Sequence, residues 1–325
     1  MTLYPFTFHP IFKERIWGGR KLELLYHKSL PPHRPIGESW EMSDRPGDVS
    51  VIANGPFAGK DLHWLVQQHR AELMGGVPLL GGRFPLLIKI LDAQVKLSLQ
   101  VHPPANAAAQ LGGDPKTEMW FVADAAPGAQ LYAGLKRGVT RPEFEERIRR
   151  GTVAECFHRL PMRQGDALFL PSGRVHAIGA GLVIFEIQQN SDTTYRVFDW
   201  NRVGLDGKPR ELHLAESLQS IDFNDFEPVP VRADTAAEPA GKRLVVADPL
   251  FSVETYSLRA GAIVALPPAR MQILGVLSGE LQAGQIPPPV ELGPGQFCLI
   301  PASLERPIVQ AKGGAASFLR IEAGR

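Results

Sequence analysis

The chain has 325 residues, of which 44% are hydrophobic and 21% charged, and its net charge is +1. That length suggests two domains with a large core. The near-neutral charge leaves no footprint for nucleic acid or an anionic membrane, so neither is an expected partner. With 32 glycines and 29 prolines, turns are frequent, which favours many short strands over a helical bundle.

Residues 1–10 lack an apolar core behind a basic flank, and no stretch reaches membrane-spanning length, so a cytoplasmic protein is expected. Residues 1–59 read as short strands and loops, with Trp17 and Trp40 as core residues and a strand over 48–52. Residues 61–74 carry Leu62, Leu65, Val66 and Leu73 at helical spacing. His63 and His69 on that helix are expected to be solvated. The apolar run 84–91 is interrupted by Lys89, which either reaches a polar cavity or snorkels from a strand end.

Ser98, Gln100 and His102 then alternate with Leu97, Leu99 and Val101, the pattern of a strand with one wet face. A turn or two of helix fits 105–111, and strand character returns over 118–122. Helical character is expected over about 137–160. Thr140 is placed to cap a helix with Pro142 in its first turn and acids ahead of bases, and a second short helix is expected over 153–159. Strands follow at 167–171, 181–189 and 194–200, then a helix at 212–221. Residues 224–242, rich in Pro, Ala, Asp and Glu, form the linker candidate, and 243–325 read as strands between Gly and Pro turns. Cys156 and Cys298 are too few and too far apart for a disulfide framework and are read as buried small hydrophobes, which fits a reducing compartment.

An internal repeat aligns 164–173 with 294–303, matching Gly165 to Gly295, Pro171 to Pro301 and His176 to Arg306. A cation in the second copy stands where the first has an imidazole, so the second copy should hold no metal. Gln100, His102, Glu118 and His176 are N and O donors suited to a first-row metal such as zinc.

Gly165, Pro171, Gly173 and His176 match the second motif of the cupin superfamily, and Gln100 and His102 with Glu118 resemble a variant of the first. The match sharpens over 84–221. There Leu97-Ser-Leu-Gln-Val-His-Pro103, Lys116-Thr-Glu118, Pro171-Ser-Gly-Arg-Val-His-Ala177 and Glu186-Ile-Gln-Gln-Asn-Ser-Asp-Thr-Thr-Tyr-Arg196 resemble the type I phosphomannose isomerases, in particular the shorter bacterial form. The resemblance implies a mainly β fold of two cupin-type (jelly-roll) β-sandwiches with a small helical segment. The catalytic unit would span 1–223 and a metal-free cupin-like unit 243–325. It implies Zn(2+) held by Gln100, His102, Glu118 and His176, a sugar-phosphate pocket with Lys89 and Ser98, and catalytic roles for Lys116, Glu186 and Arg196. A monomer or weak homodimer is expected.

The implied chemistry interconverts mannose 6-phosphate and fructose 6-phosphate by moving a proton between C1 and C2 through an enediol. It needs a general base and a stabiliser of oxyanion charge. A dication beside Lys116 favours its neutral amine, which makes it one candidate base, with Glu186 as the rival. Two other classes fit the donor set: a non-catalytic sugar-phosphate-binding cupin, and a non-haem iron oxygenase, against which Gln100 argues as a fourth ligand.

Overall fold

The computed structural model describes residues 2–233, 241–284 and 289–324. The chain is mainly β, as its turn-rich sequence implies. A six-stranded antiparallel sheet runs in the order Ile11–Gly19, Ile36–Met42, Leu86–Ala93, Leu182–Gln189, Glu118–Ala125 and Ala167–Leu170. A five-stranded sheet runs Tyr195–Phe198, Leu99–Val101, His176–Ile178, Gln130–Leu135 and Phe157–Pro161. A seven-stranded sheet, built from Gly241–Ala247 to Ile308–Ala323, forms the C-terminal part.

Alternation along these strands sorts the side chains into separate cores. Leu91, Trp120, Val122, Leu182 and Ile184 of the six-stranded sheet meet Leu131, Ala133, Leu160 and Ile178 of the five-stranded sheet, filling the interior of the first sandwich. Their strand neighbours Ile88, Ile90, Phe121, Phe185 and Ile187 point the other way and pack against Phe251, Ile273, Phe297 and Ile321 of the C-terminal sheet. The outer face of the five-stranded sheet carries Leu99, Val101, Tyr195 and Val197, covered by Phe144 and Cys156. The C-terminal sheet therefore covers the apolar outer face of the site-bearing sheet, and it closes around a second core of its own.

The repeat seen in sequence is a repeated turn and strand. Gly165 (φ +86°) and Gly295 (φ +72°) each turn the chain through the left-handed region before strands Ala167–Leu170 and Phe297–Ile300. Arg306, the counterpart of His176, is exposed.

The helices differ in detail from expectation. Thr140 caps Arg141–Arg149 by accepting from the Glu143 amide, as read. Residues 153–156 make one 3-10 turn, but 157–161 form a strand, because Phe157 and Leu160 are pulled into sheet cores. The helix expected over 61–74 breaks at His69 into Leu62–Gln68 and Arg70–Met74. His63 is not simply solvated: its Nδ1 lies 3.1 Å from the buried Asp44 carboxylate. The helix Lys21–Tyr26 was not legible, since Arg20 provides no side-chain cap and Leu24 and Leu25 face outward. Within the linker candidate, residues 234–240 lie outside the described residues. Val231 pairs with Ala167, and the Ala233 amide donates to Asp166 at 2.8 Å. Cys156 and Cys298 are buried thiols, and Trp17 and Trp40 are buried as well.

Candidate active site

Strand register brings the site together. Across the six-stranded sheet Trp40 faces Lys89, Lys89 faces Glu186, and Glu186 faces Trp120. Directly opposed residues on neighbouring strands share a face. Across the five-stranded sheet Arg196 faces Gln100, and Gln100 faces His176. The inner faces of the two sheets thus present these polar rows to one another at one end of the sandwich.

His102, Glu118 and His176 are buried, and their ligand atoms lie within 4.8 Å of one another. His102 Nε2 is 3.5 Å from Glu118 Oε2, and His176 Nε2 is 3.4 Å from Glu118 Oε1. The backbone fixes both tautomers. His102 Nδ1 lies 2.8 Å from the Thr193 carbonyl and His176 Nδ1 lies 2.9 Å from the Arg174 carbonyl. A carbonyl only accepts, so each Nδ1 carries the proton and each Nε2 offers a lone pair to the cluster. Burial lowers His102 to about 4 and also lowers His176, so both rings are neutral at pH 7, the form that binds a metal.

Gln100 Nε2 lies 3.3 Å from His176 Nε2, and half a turn of the amide presents Oε1 there instead. Among the described residues, His102 Nε2 and both Glu118 oxygens are buried without a well-aligned hydrogen-bond donor. Buried polar atoms of this kind are rare unless a metal claims them. Two neutral imidazoles, a carboxylate and an amide oxygen fit a zinc site.

Gln100 and Lys116 join this cluster to a cavity of about 560 Å³. Lys89, Ser98, Glu186 and Arg196 line the same cavity, so every site residue expected from sequence is either in the cluster or in the wall. Lys116 Nζ lies 2.8 Å from Glu118 Oε2. Burial disfavours its charge, but Glu118 and Glu186 outweigh burial and push the ammonium above its ordinary value. The neutral amine expected from sequence belongs to the metal-loaded site, where a dication on Glu118 would oppose that pull. Burial would raise Glu118, yet the adjacent Lys116 ammonium holds it well below the usual carboxylate range.

Lys89 is buried rather than snorkelling, 3.2 Å from Glu186 Oε1 and 3.9 Å from Glu38 Oε2. Glu186 Oε2 accepts from the Trp120 indole at 2.8 Å, which fixes the carboxylate plane. Arg196 donates through Nη1 to the Glu211 carbonyl at 2.9 Å, while its Nε has no partner among the described residues.

Sequence reasoning did not assign Arg15, Glu38, Trp120, Asp192 or Arg210, all of which line the cavity. For Trp120 the signal was present: it lies two residues beyond Glu118 on one strand and so shares its face. Arg15 and Glu38 arrive through pairing of Ile11–Gly19 with Ile36–Met42, which no local pattern announces.

A model of the phosphomannose isomerase type I catalytic domain matches residues 6–134. The chain is 43% identical over 227 residues to the mannose-6-phosphate isomerase ManA of Bacillus subtilis, covering 68% of this chain and 69% of that protein. The crystal structure of mannose 6-phosphate isomerase from Bacillus subtilis superposes with a TM-score of 0.88 at 30% identity, over 98% of this chain and all (100%) of the other. A zinc-bound mannose 6-phosphate isomerase structure, 16% identical, shares the fold with a TM-score of 0.76 over 99% of this chain and 100% of that one. Among the described residues no helix is long and apolar enough to cross a membrane.

Proposed function

The chain belongs to the type I phosphomannose isomerases, and from that premise we propose that it interconverts mannose 6-phosphate and fructose 6-phosphate with zinc held by Gln100, His102, Glu118 and His176. The observation that carries this reading is the buried His102–Glu118–His176 cluster, in which His102 Nε2 and both Glu118 oxygens lack a well-aligned hydrogen bond among the described residues and which adjoins the cavity through Gln100 and Lys116. The zinc in a solved mannose 6-phosphate isomerase of the same fold supports the choice of metal.

Bound there, zinc supplies a Lewis acid for sugar oxygens without redox chemistry. The chain's own residues handle the proton. Glu186 has one oxygen tied to Trp120 and the other in the cavity wall beside Lys89, a fixed acceptor for the carbon-bound proton at C2 and its donor at C1. Lys89 pairs with that carboxylate at 3.2 Å. Lys116 and Arg196 direct N–H groups into the same cavity, where they stabilise the oxyanion of the enediolate. Ser98 Oγ lies 3.4 Å from the outer atom of the Gln100 amide and would accept from Nε2 once Oε1 is turned toward the metal, which holds that amide beside the sugar. Lys116 is the second candidate for the proton, since zinc on Glu118 would compete with it for the carboxylate.

The test is conversion of mannose 6-phosphate in deuterium oxide by the zinc-loaded protein, followed by NMR. Fructose 6-phosphate carrying deuterium at C1 is expected. No fructose 6-phosphate would sink the assignment, and product without deuterium would remove the exchanging base.

A further inference from the structure

Strand Ile36–Met42 presents a different chemistry on each face. Trp40 faces Lys89, and its indole donates to Glu38 at 2.7 Å, so one face belongs to the cavity already described. Ser39 faces Ile90 on one neighbouring strand and Phe12 on the other, so these side chains share the opposite face. The register slips between Trp40 and Met42, which leaves Glu41 in a bulge with no partner on Leu86–Ala93. The Ser39 hydroxyl donates to Glu41 Oε1 and keeps that carboxylate on the second face.

A second cavity, of about 530 Å³, opens there. Its volume lies within the range of about 300–1,000 Å³ found for small-molecule sites. The N-terminal segment pairs Phe8 with Ile52 and Phe6 with Leu299, which brings Phe8 to the wall. Helix Lys21–Tyr26 ends at His27 in the left-handed region (φ 52°), and the Lys28 amide reaches back to the Leu22 carbonyl at 3.4 Å. That reversal sets Tyr26 and Lys28 in the wall. Phe12 comes from the edge strand Ile11–Gly19, and Phe297 from the C-terminal sheet.

The Lys28 and Glu41 side chains are only 8% and 6% exposed, and their charged ends lie 2.8 Å apart. An ammonium carries three N–H donors, and among the described residues Glu41 is the only anion that meets this one. A buried ion pair is favourable only when its remaining donors and acceptors are satisfied as well. An occupant of this cavity must therefore accept from Lys28 and donate to Glu41. Phe8, Phe12 and Tyr26 are half-buried and Phe297 is buried, so the same occupant meets flat apolar rings.

The balance of charge selects a neutral molecule. Glu41 offsets Lys28, and Glu291 adds a further acid to the wall, so an anion gains little there. A cation would be placed beside Lys28. A hydroxyl both donates and accepts, so two neighbouring hydroxyls can accept from Lys28 and donate to Glu41 at once. The C–H face of such a molecule packs on aromatic rings.

We propose that this cavity is a second binding site, for a free sugar or its polyol, with Lys28 and Glu41 taking adjacent hydroxyls and the four aromatic rings taking the carbon skeleton. It lies on the other face of the strand from the isomerase cavity and does not depend on the reaction assigned there.

The experiment titrates the zinc-loaded full chain with mannose, fructose and mannitol by calorimetry. At least one of the three should give a saturable phase below about 10 mM. Ala53 and Ser29 are exposed residues of the cavity wall, so an Ala53→Trp/Ser29→Trp variant fills the cavity without cutting into the core. That variant should keep the wild-type melting temperature and lose the phase. Glu41→Gln should weaken binding about 10-fold. Glu186→Gln, which alters the isomerase cavity, should retain it. No saturable phase with any of the three compounds would overturn the inference. So would a phase that survives the filled variant, one that Glu41→Gln leaves unchanged, or one that Glu186→Gln abolishes. If either the filled variant or Glu41→Gln fails to fold, the other decides.

Discussion

Lys89 Nζ lies 3.2 Å from Glu186 Oε1, and the two are cross-strand partners at the centre of the six-stranded sheet. Both side chains are buried, at 3% exposure each. Removing one member of a buried pair leaves the other charge uncompensated, at a cost of about 3–5 kcal/mol. Lys89→Met should therefore lower unfolding free energy by about that much in urea titrations. The Lys89→Met/Glu186→Gln double variant should be more stable than Lys89→Met alone, because it leaves fewer unpaired carboxylates. A Lys89→Met loss below about 1 kcal/mol would show that the lysine is not what balances Glu186 and Glu38.

The metal reading makes a prediction independent of turnover. His102→Ala and His176→Ala should each abolish stoichiometric zinc binding in equilibrium dialysis while the fold persists. Added zinc should raise the melting temperature of the stripped wild type but not of either variant, since a ligand specific to the native state stabilises it by mass action. Thermal shifts of equal size in all three proteins would place the zinc elsewhere.

Glu186 and Lys116 can be separated as bases. Glu186→Gln keeps the Trp120 contact but removes the proton acceptor, so kcat should fall about 10²- to 10⁴-fold. Exchange of the substrate C2 hydrogen with deuterium oxide should fall with it. Lys116→Met should slow product formation while retaining measurable exchange at C2. The reverse pattern would assign the base to Lys116.

Glu38 predicts the acid limb of stability. Burial would raise its carboxyl, but Lys89 and Arg15 outweigh burial and hold it at about 2, against an ordinary value of 4.5. A carboxyl lowered in the folded state stabilises above its unfolded value and loses that contribution as pH falls through the folded one. The wild type should lose about 3 kcal/mol between pH 5 and pH 2 through this group. Glu38→Gln should flatten that part of the curve in denaturant titrations, and parallel curves for the two proteins would contradict the assignment.

The buried donor cluster proposed to hold the metal was legible because two local rules reach it. Period-two alternation put Ser98, Gln100 and His102 on one face, and Pro171, Gly173 and His176 sit in a short turn-and-strand motif whose spacing survives in sequence. Lys89 was legible only as an anomaly, a charge in an apolar run, and its resolution as buried required Glu38 and Glu186 from two other strands. Arg15 and Arg210 were not legible as cavity residues, since they reach the wall only through long-range pairing and a returning loop. The strand at 157–161 was misread because its apolar residues look helical until sheet packing decides them.

The most direct measurement is a coupled assay for fructose 6-phosphate formed from mannose 6-phosphate, run on metal-stripped protein before and after zinc is restored. Turnover that is absent without metal, returns with one equivalent of zinc and fails to return in His176→Ala is the predicted result. Stripped protein that turns over at the full rate, or zinc-loaded protein that binds the metal at His176 and makes no fructose 6-phosphate, would contradict the account.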